Sequence, residues 1–206
     1  VIQLPWSTES NFRYFFDGTL SNRKANFKNN NRASVYELSP YDQTLLMDTD
    51  YIISNDLLRN CFDSKSDFMI YKKSDDIAKV RDESEFDKIS DPSVDFYWAT
   101  VVFFRKTDTN RTFFNLVAHI EQEWNHYKRV YQITSMLFRN DFAFSIAIHI
   151  MNGFQPGFFA QQLPGSMLYI TDKDILEKLK DDEFMFLVEK KDYLGEYTAL
   201  KTQGQT

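Results

Sequence analysis

The segment Thr44-Leu45-Leu46-Met47-Asp48-Thr49-Asp50-Tyr51-Ile52-Ile53 sets an apolar run directly against two carboxylates. A short unbroken apolar run bounded by polar residues is the pattern of a fully buried strand, so residues 44–47 are predicted to form one that ends at Asp48. Residues two apart in a strand point to the same side, which would place Asp48 and Asp50 together where the strand leaves the sheet. Carboxylates there are costly to hold unless they are solvated, paired or bound to a cation. Paired hard oxygens suit Mg²⁺ or Mn²⁺, which complete their shells with water and phosphate oxygens. In α/β sheets, ligands gather outside the carboxyl ends of the strands. With 30 acidic residues in the chain, the same spacing also arises by chance as two solvated acids at a strand end.

Outward from this segment, strand and helix patterns alternate. Upstream, Val35-Tyr36-Glu37-Leu38 starts an element that Ser39-Pro40 breaks, because the residue before a proline is pushed out of the helical region. Residues 1–34 read as irregular: an aromatic patch at Phe12, Tyr14, Phe15 and Phe16, a turn at Asp17-Gly18, then a polar loop or loosely held helix through Asn31. Downstream, Ser54-Asn55-Asp56 has the chemistry of a helix start, with Leu57, Leu58, Cys61 and Phe62 at helical spacing. Residues 68–71 read as another buried strand, and 72–95 as a strongly polar surface excursion. A strand over 96–104 is followed by a helix over 110–127, capped by Thr107-Asp108-Thr109, with Phe113, Phe114, Val117, Ile120 and Trp124 on one face. A second helix begins near Asp141 and stops at Asn152-Gly153. Residues 157–165 read as a loop, 167–170 as a strand, 171–179 as a short helix capped by Thr171-Asp172, and 184–188 as a last strand. The alternation predicts one α/β domain over residues 1–206, with a mostly parallel, Rossmann-related central sheet flanked by helices.

Composition narrows the class. Apolar residues make up 43% and aromatics 17%, with 20 Phe and 11 Tyr, enough for a core and opposed to disorder. The single cysteine, Cys61, forms no internal bridge and sits among apolar positions as a small hydrophobe. No apolar run reaches the roughly 18–20 residues of a membrane span, and the first residues lack the basic and apolar regions of a signal peptide. The expectation is a soluble, cytoplasmic protein with no membrane span. The net charge of −6 disfavours a nucleic-acid binder. One basic segment, Arg23, Lys24, Lys28 and Arg32 interleaved with asparagines, reads either as a solvated loop or as a loop beside a phosphate-bearing ligand. The first residue is Val1, which implies processing or a fragment of a longer chain.

The stretch from Ser39-Pro40-Tyr41-Asp42 through Asp48-Thr49-Asp50 to Ile53 resembles the central segment of A-type (GT-A) nucleotide-diphospho-sugar glycosyltransferases and their phage-encoded relatives, in which a polar lead-in and an apolar strand end in Asp-x-Asp. The resemblance continues more loosely through Trp98-Ala99-Thr100-Val101-Val102-Phe103-Phe104-Arg105-Lys106 and Arg139-Asn140-Asp141, covering about residues 35–150. It implies a GT-A-like fold and a metal-dependent transfer of a sugar from a nucleotide-diphosphate sugar to an acceptor: a glycan, a protein or a modified nucleobase. Asp48 and Asp50 would hold Mn²⁺ or Mg²⁺, with His149 as a third ligand. Asp48, Tyr41 and Arg32 would contact the nucleotide sugar. Asp141 would orient or deprotonate the acceptor hydroxyl, and would otherwise be a helix cap. Such an enzyme, phage-encoded, would work in the host cytoplasm. The N-terminal βαβ unit of that family is not legible in the residues before Asp48, and neither is the C-terminal His-plus-Lys motif of some branches.

The remaining histidines, His119 and His126, read as surface or boundary residues, and His149 lies in an apolar helix where a satisfied core histidine is the alternative to a ligand. No dinucleotide fingerprint, P-loop or nucleophile elbow occurs. The competing function is a non-catalytic binding or assembly module on the same scaffold, of viral origin, motivated by the shortened N-terminal region and the aromatic patch.

Overall fold

A computed structural model describes residues 11–16, 22–27, 31–76, 86–89, 94–134, 138–169, 175–180, 183–189 and 197–203. Its centre is a four-stranded sheet. The apolar run before Asp48 forms strand β3 (Gln43–Met47), preceded by the antiparallel hairpin β1 (Asn11–Phe16) and β2 (Asn22–Phe27) and by the one-turn helix α1 (Val35–Leu38). A 3-10 turn at Leu57–Arg59 runs into the one-turn helix α2 (Asn60–Asp63), then strand β4 (Phe68–Tyr71) and a two-residue strand β5 (Asp75–Asp76). The long apolar run forms β6 (Trp98–Arg105), followed by helices α3 (Asp108–Gln122), α4 (Trp124–Val130) and α5 (Asn140–Met151). Short strands β7 (Gln161–Gln162) and β8 (Leu168–Tyr169) precede an antiparallel meander of β9 (Ile175–Lys180), β10 (Glu183–Glu189) and β11 (Tyr197–Gln203).

The mostly parallel sheet is not what the chain builds. The strand order is β3-β6-β4-β7, and β6 runs antiparallel to both β3 and β4, so that only the two-residue β7 lies parallel to its neighbour. The GT-A-like, Rossmann-related architecture expected from the alternation is therefore replaced by a mixed sheet. An apolar run records burial on both faces but not direction. Strand β6 is buried on both faces for a different reason: Phe103 meets Phe62 of α2 on one side, while Phe104 meets Tyr36 and Phe114 on the other. Strands β3 and β4 point the same way with β6 inserted between them. Strand β3 is a half-buried edge, not the fully buried strand the run suggests.

The core that fixes β6 is aromatic. Phe68, Phe104, Phe113, Phe114 and Phe144 are all buried, with ring centroids 4.6–6.5 Å apart in tilted or edge-on pairs. Such geometry adds about 0.5–1.5 kcal/mol per pair beyond the area buried. Thr107 caps α3 by accepting from the Asn110 N–H at 3.2 Å, and Phe113, Phe114, Val117 and Ile120 line its buried face. The helix expected to run through residue 127 bends at Glu123 into α4. Helix α5 is buried on most of its circumference and is capped at Asn152, just before Gly153, whose φ of +74° suits glycine.

Two other expectations change. Residues 175–180, expected to lie in a helix, form β9, where pairing of Leu176 with Phe186 and Ile175 with Leu187 outweighs a helix-compatible spacing; Thr171 and Asp172 lie outside the described residues. Residues 11–16 and 22–27, expected to be irregular or helical, are strands, and Asp17-Gly18 lies outside the described residues. Of the polar excursion at 72–95, Ile89 and Val94 are buried, and 77–85 and 90–93 are outside the described residues. Among the described residues, the β1–β2 hairpin and the β9–β10–β11 meander bond to no strand of the four-stranded sheet. Among the described residues, no helix is long and apolar enough to cross a membrane.

Candidate functional site: the exit of strand β3

Strand β3 ends at Met47, yet its ladder continues by one bond: the Asp48 N–H donates to the Thr100 carbonyl of β6 at 3.0 Å. The chain then turns, because the Tyr51 N–H closes back onto the Asp48 carbonyl at 3.2 Å. Asp50 is therefore a turn residue, exposed to solvent, and strand alternation is not what brings it near Asp48.

Arg32 completes this corner. It sits in a 3-10 turn, Arg32–Ser34, ahead of α1, and it is buried. Its Nη1 donates to Asp48 Oδ1 and its Nη2 donates to the Thr100 carbonyl at 2.9 Å, so the carbonyl that anchors the Asp48 backbone also anchors the arginine. Its buried Nε has no partner among the described residues. Burial pushes the Asp48 carboxyl above the usual carboxylate range; Arg32 pulls it down, and the charges of Asp50 and Asp141 push it up again. Three carboxylates, Asp48, Asp50 and Asp141, and two guanidiniums, Arg32 and Arg139, thus share one electrostatic neighbourhood.

Asp141 enters from the first turn of α5. Its Oδ1 accepts the Ala99 N–H at 2.9 Å, and its Oδ2 accepts from Arg139 Nε at 2.9 Å and Nη2 at 2.6 Å. It is not the helix cap that spacing offered, since Arg139 holds that position. Instead it ties α5 to β6 one residue away from Thr100. The tie has a second rung: the Tyr97 N–H donates to Ser145 Oγ at 2.8 Å, and that hydroxyl donates to the Asp141 carbonyl at 2.6 Å. Asp141, Ser145 and His149 lie four residues apart on one face of α5, opposite residues 99, 97 and 95 in turn. Ser145 was missed in the sequence; a lone hydroxyl inside the apolar run Phe144-Ser145-Ile146-Ala147 was the available signal.

The remaining expected residues lie elsewhere. His149 is two turns beyond Asp141, about 12 Å along the helix axis. It lines a separate shallow cleft with Asp95, Tyr97 and Asn152. Burial lowers its pKa and the Asp95 charge opposes that. The structure therefore does not bring His149 together with Asp48 and Asp50. Tyr41 is 68% exposed and precedes β3, so the strand's length puts roughly 15 Å between it and Asp48. Cys61 is buried and unbridged.

Among the described residues, no group of three or more His, Cys, Asp or Glu side chains is placed to hold a metal. Asp48 and Asp50 offer hard oxygens only, and Asp48 Oδ1 is engaged by Arg32. This donor set fits a Mg²⁺- or Mn²⁺-type cation that takes most of its shell from phosphate and water, and not a cage built from protein alone. Compared with family models, with curated proteins and with solved structures, the chain matches none.

Proposed function

We propose that the exit of β3 binds a divalent cation, Mn²⁺ or Mg²⁺, with the diphosphate of a nucleotide sugar, and that the chain transfers the sugar to a hydroxyl-bearing acceptor. One arrangement carries this reading: Asp48 sits part-buried at the strand exit with the buried Arg32 on its Oδ1 and the charges of Asp50 and Asp141 close by, and burial first, then those two charges, keeps its carboxyl raised against the pull of Arg32. A carboxylate short of positive charge at a strand exit is the natural seat for a cation. The resemblance of residues 39–53 to A-type glycosyltransferases supports the donor class, although the sheet does not have the expected direction.

Within this reading Asp48 and Asp50 hold the cation, which when bound neutralises the diphosphate as it leaves. Arg32 faces the phosphates as a fixed positive charge. Asp141, whose carboxylate oxygens already accept three hydrogen bonds, retains one acceptor position with which to orient an acceptor hydroxyl or take its proton. Mn²⁺ titration with and without UDP, on wild type, Asp48→Ala and Asp50→Ala, tests the proposal. Mn²⁺-dependent UDP binding should be present in the wild type and lost in both variants; its absence in the wild type ends the reading.

A second reading, a non-catalytic binding or assembly module, draws on the arginines. Arg32 pairs with Asp48 and Arg139 with Asp141, which gives each carboxylate a partner without any ligand. Light scattering that shows a stable assembly, together with no nucleotide binding, would favour it.

A further inference from the structure

We propose that Arg32 is the resident counter-charge of Asp48, and that moving its guanidinium from Asp48 onto a nucleotide diphosphate couples cation binding to nucleotide binding. This rests on the cation- and diphosphate-binding reading above.

The Arg32 side chain is only 5% exposed, and that of Asp48 is 29% exposed. A guanidinium stays charged at every pH at which a protein folds. One positive charge is therefore fixed on the carboxylate that the cation needs. A cation arriving alone meets two costs. If it coordinates beside the guanidinium, the like charges repel. If it displaces the guanidinium, a buried arginine loses its acceptor. Either way the cation alone binds weakly.

A diphosphate removes both costs together. It gives the cation phosphate oxygens, and it gives the arginine a bidentate acceptor that matches its planar fork. The unpartnered Nε is an independent sign of the same thing. It is a buried donor without an acceptor among the described residues, which is unfavourable until an oxygen reaches it. Nε and the neighbouring Nη form one edge of that fork, the edge a phosphate takes. The Thr100 carbonyl, accepting from both Nη2 and the Asp48 N–H, is the pivot that keeps Arg32 in place during the exchange. By thermodynamic reciprocity, nucleotide and cation must each tighten the other by the same factor.

Isothermal titration of Mn²⁺ and of UDP, each with and without the other, on wild type, Arg32→Gln and Asp48→Ala, tests the exchange. UDP should tighten Mn²⁺ binding to the wild type roughly tenfold or more. Arg32→Gln should bind Mn²⁺ alone roughly tenfold tighter than the wild type, with the effect of UDP reduced to match. A folded Arg32→Gln that binds Mn²⁺ no more tightly than the wild type overturns the inference. If Arg32→Gln is unfolded alone, recovery of cooperative thermal unfolding in millimolar Mn²⁺ supports it, since the cation then replaces the missing charge, and no recovery overturns it. Failure here is separable from failure of the function itself: wild-type Mn²⁺ binding that Asp48→Ala removes but Arg32→Gln leaves unchanged sinks only the exchange. No binding of Mn²⁺ or UDP by any of the proteins sinks both.

Discussion

Asp48 and Asp95 stand at opposite ends of one stripe, where α5 faces the start of β6, and both are partly sheltered carboxylates with basic partners. Burial opposes ionisation of both. At Asp95, Lys72 at 2.7 Å and Lys88 at 2.5 Å together outweigh burial, and the carboxyl is held below its usual range. At Asp48 burial outweighs Arg32, and Asp50 and Asp141 add repulsion, so the carboxyl is raised. Asp95 is electrostatically complete. Asp48 is short of positive charge, and that deficit is what a cation would fill. Two acids of similar appearance in the sequence thus have opposite meanings, set by how deeply each is sheltered and by the balance of charge around it.

The largest effect expected from this difference concerns Mn²⁺. Asp48→Ala should weaken Mn²⁺ binding at least roughly a hundredfold, more than the loss of an outer-shell partner, while Asp95→Ala should leave it within a factor of about two. Titration calorimetry of both variants decides, and equal losses would erase the contrast. Protons compete for the same carboxylate. Because the Asp48 pKa is raised in the folded state, the thermal stabilisation given by Mn²⁺ should fade as pH falls through that raised value, at a higher pH than for an ordinary aspartate.

Next in size is the clamp between α5 and β6. Asp141→Ala leaves the N–H of the buried Ala99 without its acceptor and Arg139 without its carboxylate, which should cost about 3 kcal/mol in denaturant unfolding. A loss under about 1 kcal/mol would mean the tie contributes little. Ser145→Ala breaks only the second rung, leaving the Tyr97 N–H unpaired, and should cost about 1–2 kcal/mol by the same measurement. The larger loss is expected at the charged end because a carboxylate and a guanidinium are stranded there along with one N–H.

Much of this was legible in the chain. The apolar runs at 44–47 and 68–71 are strands, the run expected as a strand over 96–104 is one from Trp98 onward, and the Thr107 cap and the Asn152-Gly153 stop bound helices as their chemistry dictates. Strand direction was not legible, because hydrophobicity records how deeply a run is buried and says nothing of which neighbour it bonds. The meander strand over 175–180 was hidden for a related reason: Ile175, Leu176 and Leu179 have a helical spacing, and cross-strand pairing overrode it. At the site, Asp48 was legible as a strand-exit acid, but its pairing with Arg32 joins residues 16 apart through a turn that no local pattern encodes. The resemblance offered His149 as a third ligand beside the alternative of a core histidine, and a linear pattern does not say that it lies two helical turns beyond Asp141.

The smallest expected effect returns to Asp95. Asp95→Asn removes a carboxylate whose ammonium partners are 44% and 49% exposed, so water and salt already screen most of the attraction, and the loss at neutral pH should stay below about 1 kcal/mol. The sign of its pH dependence is the informative part. A carboxyl whose folded pKa lies below its unfolded value of 3.8 adds stability above that value and loses it as pH falls through the folded pKa. The difference between wild type and Asp95→Asn should therefore be largest near neutrality and vanish in acid. Asp48 works the other way, since its raised folded pKa makes stability grow as pH falls from that value toward 3.8. A gap that widens in acid would mean Asp95 is not the satisfied ion pair, and the contrast with Asp48 would fail at its completed end.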